Sequence, residues 1–337
     1  MTGGRRSVTR KDVAQLAGVS ETIVSYVLNN NRYVSAEKRG RVLEAVERLH
    51  YRPNSIARAL KGKGSSYILF IADNIENEYF GRLVHEMDSF AYDKGYVVSL
   101  LSVRNNADFV SRILARQVDA VIISSSSFEE RYILELLEAG LPVVLLMTRD
   151  YPNIDGRAAR IYTGIESGIM VGVRYLYEHG CRHLVHVDRV SERGHFSDRQ
   201  DLRYRGFCNQ MEAFGLALTP GSFLTGLATH EALYEAVCRR IHSGEAVDGF
   251  VCRNDQLACT VLSAVQACGK AVPGEISVIG FDNASVSTII RPALTTLELN
   301  RTEIAKATIG QIENMIHGQE AQACHFTTRL LVRDTTR

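Results

Sequence analysis

From Tyr67 onward the chain repeats one pattern, and that pattern restricts the folds open to it. Short continuous apolar runs alternate with amphipathic segments of helical period. The runs include Ile68 to Ala72, Val97 to Leu101, Ala120 to Ile123 and Val143 to Leu146. The segments between them place Leu83, Met87 and Phe90, then Ile113 and Leu114, then Leu134 and Leu137 on helix faces. Gly95 and Gly140 stop two of these helices. Strands that are apolar on both faces belong to parallel sheets covered by helices on both sides.

The pattern then starts again. Helices are expected from Ile169 to Tyr177, Arg203 to Phe214, Ala232 to Ile241 and Leu257 to Cys268. Strands are expected at His183 to Val187, Gly249 to Cys252 and Ile276 to Phe281, with a short one at Phe223-Leu224. A late helix covers Thr302 to Ile316, and Phe326 to Val332 is extended. Two such α/β units predict a bilobed body of parallel sheets, with ligand between the lobes at the carboxyl ends of the strands.

Ahead of this body stands a different texture. Thr9 can cap a helix whose third position is Asp12, a capping-box arrangement. Val13, Leu16 and Ala17 recur at helical spacing, and Gly18 allows a tight turn. Ser20 can cap a second helix with Ile23, Val24 and Val27 on its apolar side. Glu21, Thr22, Ser25 and Tyr26 remain for the other face. Two short helices around a small-residue turn form a helix-turn-helix, whose second helix enters the DNA major groove. Small polar caps also occur in ordinary helical hairpins, so spacing alone leaves that alternative open. A third helix follows Ser35, with Val42, Leu43, Val46 and Leu49 on one face. Tyr51 can supplement this small core.

Charge supports the division. Residues 1–64 carry thirteen Lys or Arg against five Asp or Glu, net +8, which leaves −7 for the rest of a chain whose total is +1. A basic head on an acidic body points to a polyanionic partner for the head. Between them, Asn54 can cap a short helix carrying Ile56 and Leu60, which Gly62 and Gly64 end. It is too short to be stable alone in water. It is a flexible linker or a hinge helix that orders on DNA and drives an apolar wedge into the minor groove.

Other classes find little support. No run of about 18 apolar residues predicts a membrane span. No apolar signal core follows Met1-Thr2-Gly3-Gly4-Arg5-Arg6, so a cytoplasmic protein is expected. Seven scattered Cys fit reduced thiols better than a disulfide framework or zinc site. No metal and no cofactor are expected, since neither G-x-G-x-x-G nor a phosphate-binding GxxxxGK[ST] loop occurs. His183 and His186 point to opposite faces of one strand. His195, Asp198 and Asp201 could pose as a catalytic set, but no activated nucleophile stands beside them, so no enzyme is expected. Ser124 to Ser127 read first as a polar loop at a strand end. Asp73, Arg149, Asp188, Asp255 and Asp282 lie at strand ends, where they can bind ring hydroxyls, cap helices or pair across loops.

Taken together, the motifs resemble the lactose-repressor/galactose-repressor family of bacterial transcription factors. The likeness rests on Asp12-Val13-Ala14 with Ala17-Gly18-Val19-Ser20, Val24-Ser25-Tyr26-Val27-Leu28-Asn29, and Tyr51-Arg52-Pro53-Asn54 with Ala57-Arg58 and Leu60. It continues through Arg203 with Gly206-Phe207, Asn254-Asp255, Ile279-Gly280-Phe281-Asp282-Asn283 and Pro292-Ala293-Leu294-Thr295-Thr296. The resemblance implies a helix-turn-helix domain over 1–52, a hinge over 53–65 and an effector-binding, dimerising body over 66–337. The first lobe is expected at about 66–163 and 296–323, the second at about 164–295 and 324–337. It further implies a homodimer on double-stranded operator DNA, contacted through Thr9, Ser20, Glu21, Thr22, Ser25, Tyr26, Asn29, Asn54, Ala57 and Leu60. A small effector, a sugar or related metabolite, is expected at Tyr79, Phe80, Arg149, Arg203, Asp255 and Asp282. A receptor without a DNA role is the alternative that the body alone would allow.

Three departures bear on specificity. Tyr26 stands where the family often has Arg, and Tyr cannot reproduce the two-hydrogen-bond grip on guanine. The segment from Ser102 to Asp108 reaches its helix early, which predicts a short or displaced outer helix. Met147-Thr148 replaces a spot where Asp is common. The absence of a Leu-rich heptad tail predicts a dimer rather than a tetramer.

Overall fold

The computed structural model describes residues 8–29, 32–51 and 64–337. The chain divides after Ser65 into two units. In the first, α1 (Arg10–Ala17), α2 (Glu21–Asn29) and α3 (Ala36–Arg48) enclose a core of Val13, Ala14, Ala17, Val24, Val27, Val42, Ala45 and Tyr51. The Thr9 amide donates to Asp12 Oδ2 at 2.7 Å, and Thr9 Oγ1 accepts from the Asp12 amide at 3.4 Å, completing the capping box. Gly18 closes α1 at φ 64°, in the left-handed region where a side chain would be strained. Ser20 Oγ accepts from the Ile23 amide at 3.4 Å, capping α2.

Two expected core positions face solvent instead. Leu16 is 43 % and Leu43 51 % exposed, and the buried stripes run through Ala14 and Ala45. Small residues let three short helices approach closely, and the bulky leucines one or two positions away turn outward. The expected hinge positions Asn54, Ala57 and Leu60 lie outside the described residues.

The second unit holds two six-stranded sheets. The first runs β11-β5-β4-β3-β1-β2 and is parallel throughout. Its strands are β1 (Tyr67–Ala72), β2 (Val97–Ser102), β3 (Ala120–Ser124), β4 (Val143–Leu146), β5 (Ala159–Tyr162) and β11 (Ala323–His325). Helices α4 (Glu78–Tyr92), α5 (Ala107–Ala115) and α6 (Glu130–Glu138) connect them. The early helix α5 is short, nine residues, and starts where the Asn106 side chain accepts from the Phe109 amide.

The second sheet runs β12-β10-β9-β8-β6-β7, with only the edge strand β12 antiparallel. It comprises β6 (Leu184–Val187), β7 (Phe223–Leu224), β8 (Gly249–Cys252), β9 (Ser277–Phe281), β10 (Thr295–Leu299) and β12 (Thr328–Leu331). Around it lie α7 (Ile165–Glu178), α8 (Leu202–Ala213), α9 (His230–His242), α10 (Asp255–Ala267) and the short α11 (Val286–Ile289). Helix α12 (Arg301–Ile316) returns to pack on α4 of the first lobe.

The chain therefore crosses between lobes after β5, after β10 and between β11 and β12. Two expected boundaries move. Strand β10 pairs with β9, so the return to the first lobe follows Leu299 rather than starting at 296. The first sheet then keeps the chain to His325. At the first crossing Gly164 sits at φ 90°, and a Cβ there would lie 2.8 Å from the Phe326 carbonyl oxygen of the third.

Candidate functional site

Parallel topology sends the carboxyl ends of both sheets toward one cleft, with a cavity volume of about 960 Å³. Asp73 follows β1, Ser125 to Ser127 follow β3, Asp188 and Arg189 follow β6, Arg253 follows β8 and Asp282 follows β9. In the first lobe, the serine loop wraps Asp73. Ser127 Oγ donates to it at 2.6 Å, the Ser126 amide at 2.8 Å and Ser126 Oγ at 2.9 Å, and Ser125 Oγ donates as well. Burial pushes this carboxyl up, but Arg189 and the serine donors outweigh it and hold it below its ordinary value.

Helix α4 begins at the same rim, capped by Asn77, whose Oδ1 accepts from the Tyr79 amide at 2.8 Å. Tyr79 is buried, and burial followed by the Asp282 charge raises its hydroxyl pKa. Phe80 is half-buried and meets Phe70 and Tyr79 edge-to-face, with ring centroids at 5.9 and 5.3 Å. An apolar ring face thus borders the polar floor.

The second lobe supplies charge. Asp201 caps α8 by accepting from the Arg203 amide at 2.9 Å, and its other oxygen pairs with Arg253 at 2.9 Å and Arg189 at 3.1 Å. Asp188 accepts from Ser197 Oγ at 2.6 Å, the Ser197 amide at 2.8 Å and Thr225 Oγ1 at 3.0 Å. Arg203 lies over the Phe281 ring, 4.8 Å from its centroid, and its Nε is buried without a hydrogen-bond partner. Burial and the neighbouring Arg253 cation bring its pKa down to about 10. Asp282 Oδ1 and Thr163 Oγ1 are also buried and unpartnered. Burial raises the Asp282 pKa against the pull of Arg203. Its φ of 100° is a strained conformation for a side-chain-bearing residue, and such strain gathers at ligand clamps. Unpartnered buried groups are costly, so a concentration of them on one cleft is a binding-site signal.

Of the six expected effector contacts, Tyr79, Phe80, Arg203 and Asp282 line this cleft. Arg149 and Asp255 do not. Arg149 is held outside it, donating to the Ser126 carbonyl at 3.1 Å, pairing with Glu130 at 3.5 Å and lying over Tyr151. Asp255 is 1 % exposed and accepts from Thr296 Oγ1 at 2.5 Å and the Ala284 amide at 2.6 Å. It ties the β9–α11 loop to α10, while its neighbours Asn254 and Gln256 reach the cleft. His195 lines the cleft, Asp198 closes a turn with the Gln200 amide, and Asp201 is occupied by arginines, so the three do not form a catalytic set. His183 is exposed and His186 buried, its Nδ1 3.1 Å from the Val251 carbonyl.

Burial raises the Asp255 carboxyl to about 7, with the Asp282 charge adding to the effect. The folded state therefore keeps a proton that the unfolded chain releases near pH 4, and stability falls as pH rises between about 4 and 7. Asp255→Asn removes this component. Melting temperature measured from pH 4.5 to 8 should decline less steeply in the variant than in the parent; equal slopes would contradict the assignment.

Sequence reasoning passed over Arg189 and Arg253, whose partners lie far away in the chain, and Arg32 in the head. The Arg32 guanidinium lies over the Tyr26 ring, 5.3 Å from its centroid. Glu21 and Thr22 are exposed on α2, and Ser25 and Tyr26 half-exposed.

The family model for bacterial regulatory proteins of the lacI family matches residues 9–54. The model for a periplasmic binding protein-like domain matches residues 173–336. The chain is 29% identical over 337 residues to the HTH-type transcriptional repressor PurR of Histophilus somni (strain 129Pt), covering 98% of this chain and 99% of that protein. It is 28% identical over 340 residues to the same-named protein of Vibrio vulnificus (strain CMCP6), covering 98% of each. Among solved structures it is similar to the Lac repressor dimer bound to operator and the anti-inducer ONPF, with a TM-score of 0.81 and 23% identity over 98% of this chain and 99% of that one. A LacI family transcriptional regulator from Enterococcus faecium with bound ribose gives 0.68 and 21% over 80% of this chain and 98% of that one. With its head matched by the one model, its body by the other and its full length by these relatives, the chain belongs to the lacI family of bacterial transcriptional regulators.

Proposed function

We propose that this regulator is a cytoplasmic homodimeric repressor that binds operator DNA through its head and is controlled by a small hydroxylated, sugar-like effector in the cleft of its body. The observation that carries the reading is the presence in one chain of a capped helix-turn-helix and a cleft lined by unpartnered buried polar atoms. In this reading α2 enters the major groove with Glu21, Thr22, Ser25 and Tyr26 toward the bases, and Thr9, Ser20 and Asn29 near the backbone. Asn54, Ala57 and Leu60 form the hinge that meets the minor groove. Tyr79, Phe80, Arg203 and Asp282 contact the effector. The assembly uses two copies because operators of this kind are two-fold repeats. No helix among the described residues is long and apolar enough to cross a membrane.

Salt-titrated binding to the DNA upstream of the protein's own gene tests the reading. A preference over bulk DNA of about a thousandfold or more is expected. Absence of any preference at every salt concentration would remove the DNA role.

The contact between Arg32 and Tyr26 adds a prediction. Tyrosine lacks a guanidinium fork, but its ring holds one, supplied by the loop after α2. Arg32→Ala should weaken operator binding by roughly 10- to 100-fold, the range for one bidentate base contact, and relax preference at one base pair. Loss equal on operator and random DNA would instead identify a phosphate contact.

A further inference from the structure

The loop from Asp188 to Asp201 carries the most unusual cation in the cleft. Arg189 leaves the end of β6 and reaches the first lobe, where its NH1 lies 3.5 Å from Asp73 Oδ2. Its NH2 lies 3.1 Å from Asp201 Oδ2. Its Nε is buried without a hydrogen-bond partner, 4.0 Å from Asp188 Oδ1 and beyond bonding reach. Arg189 lines the cleft together with Arg203.

Donors and acceptors here are unequally satisfied. The Asp73 carboxylate already accepts from three serine hydroxyls and an amide. Asp188 accepts from Ser197, Thr225 and the Arg189 amide. Asp201 accepts from Arg253, from Arg189 and from two α8 amides. The acceptors around Arg189 carry several donors each: its NH2 shares Asp201 Oδ2 with Arg253, its NH1 reaches Asp73 only at 3.5 Å, and its Nε is unbonded. Arg203, nine-tenths buried, makes no ion pair among the described residues. Two guanidinium groups thus keep donors for an acceptor-rich ligand, while Asp282 Oδ1 keeps an acceptor for a hydroxyl.

We propose that the effector is an anionic polyol, a carboxylated or phosphorylated sugar, whose acidic group is gripped by Arg189 with Arg203 and whose hydroxyls reach Asp282. Binding draws Arg189 from Asp73 and so replaces a long ion pair between the lobes with a ligand bridge. An Arg fork matches both carboxylate and phosphate, so the shared chemistry is the planar or tetrahedral oxyanion. This inference rests on the cleft being the effector site.

The test titrates the full chain by calorimetry against matched sets: hexoses and pentoses, their aldonic and uronic acids, and their phosphate esters. Acidic members should bind at least about tenfold tighter than their neutral parents, the size of one charge-assisted hydrogen bond. Whether carboxylates or phosphates lead distinguishes the two sources. Arg189→Met should reduce affinity for the leading acid by roughly 10- to 100-fold, a larger factor than for its neutral parent sugar. Arg189→Lys keeps the charge beside the carboxylates but loses the fork, so an intermediate loss is expected from a variant that folds even if the methionine one does not. Neutral sugars binding as tightly as acids, or acid affinity unchanged in Arg189→Lys and Arg189→Met, would overturn the inference and leave the cleft reading standing. No binding by any member would overturn both.

Discussion

Asp201→Ala should destabilise the body by about 3–5 kcal/mol, the penalty for stripping one partner from a buried ion-pair cluster. One carboxylate here serves two purposes. Its Oδ1 caps α8 through the Arg203 and Tyr204 amides, and its Oδ2 neutralises Arg253 and Arg189. The alanine variant loses the cap and leaves two buried guanidinium groups facing each other. Chemical denaturation of the parent and variant measures the loss; a change under about 1 kcal/mol would mean that solvent or Asp188 replaces the missing charge. Asp201→Asn keeps an acceptor for the cap and separates the two contributions. The pH dependence has a defined sign. Burial pushes the Asp201 carboxyl up, but the Arg253 and Arg189 cations outweigh it and hold it well below the usual carboxylate range. A depressed pKa contributes stability above the unfolded value near 4, and that stability drains away as pH falls below it. The acid limb of the melting curve should therefore be shallower in Asp201→Asn.

Gly206→Ala should lower stability by about 3 kcal/mol and the melting temperature by on the order of 6–10 °C. An added Cβ would lie 2.6 Å from the Glu166 carbonyl oxygen. That atom belongs to the backbone of α7, so the clash is relieved only by moving α7 and α8 apart. Helix α8 carries Asp201 at its cap and Arg203 in its first turn, so the shift should also weaken ligand binding. Gly81→Ala is the control: it lies on α4 with open space around its Cβ direction, and alanine there should be neutral or slightly stabilising. Equal melting temperatures for Gly206→Ala and the parent would show that the helix pair yields easily.

What could be read from sequence followed from local periodicity. The strands Ile68 to Ala72, Ala120 to Ile123 and Gly249 to Cys252 are buried on both faces, and their continuous apolar runs say so. Strands at and next to the sheet edges carry less signal. Strands β5 and β11 escaped because Ala-Arg-Ile-Tyr and Ala-Cys-His have little pattern of their own and depend on neighbouring strands for pairing. Strand β2 reads as buried but is a half-exposed edge. In the head the helical period was legible, while a small rotation that favours Ala14 and Ala45 over Leu16 and Leu43 was not.

The site divides in the same way. Asp282, Arg203 and Phe80 stand at strand ends or helix starts, where a cleft is expected. Asp255 has the same local setting, yet Thr296 and Ala284 claim its carboxylate from across the sheet. Arg189 and Arg253 carry no motif; their meaning comes from carboxylates brought near by folding, and for Arg189 one of these lies in the other lobe.

The three crossings between the lobes also govern how the protein can be made. The first sheet opens at Tyr67 and waits for β11 at Ala323–His325; the second opens at Leu184 and waits for β12 at Thr328–Leu331. Domains usually fold in order as they leave the ribosome. Here neither lobe has its full set of strands until nearly all of the body has been synthesised. The nascent first lobe must hold an apolar edge and an uncovered helix face until α12 arrives.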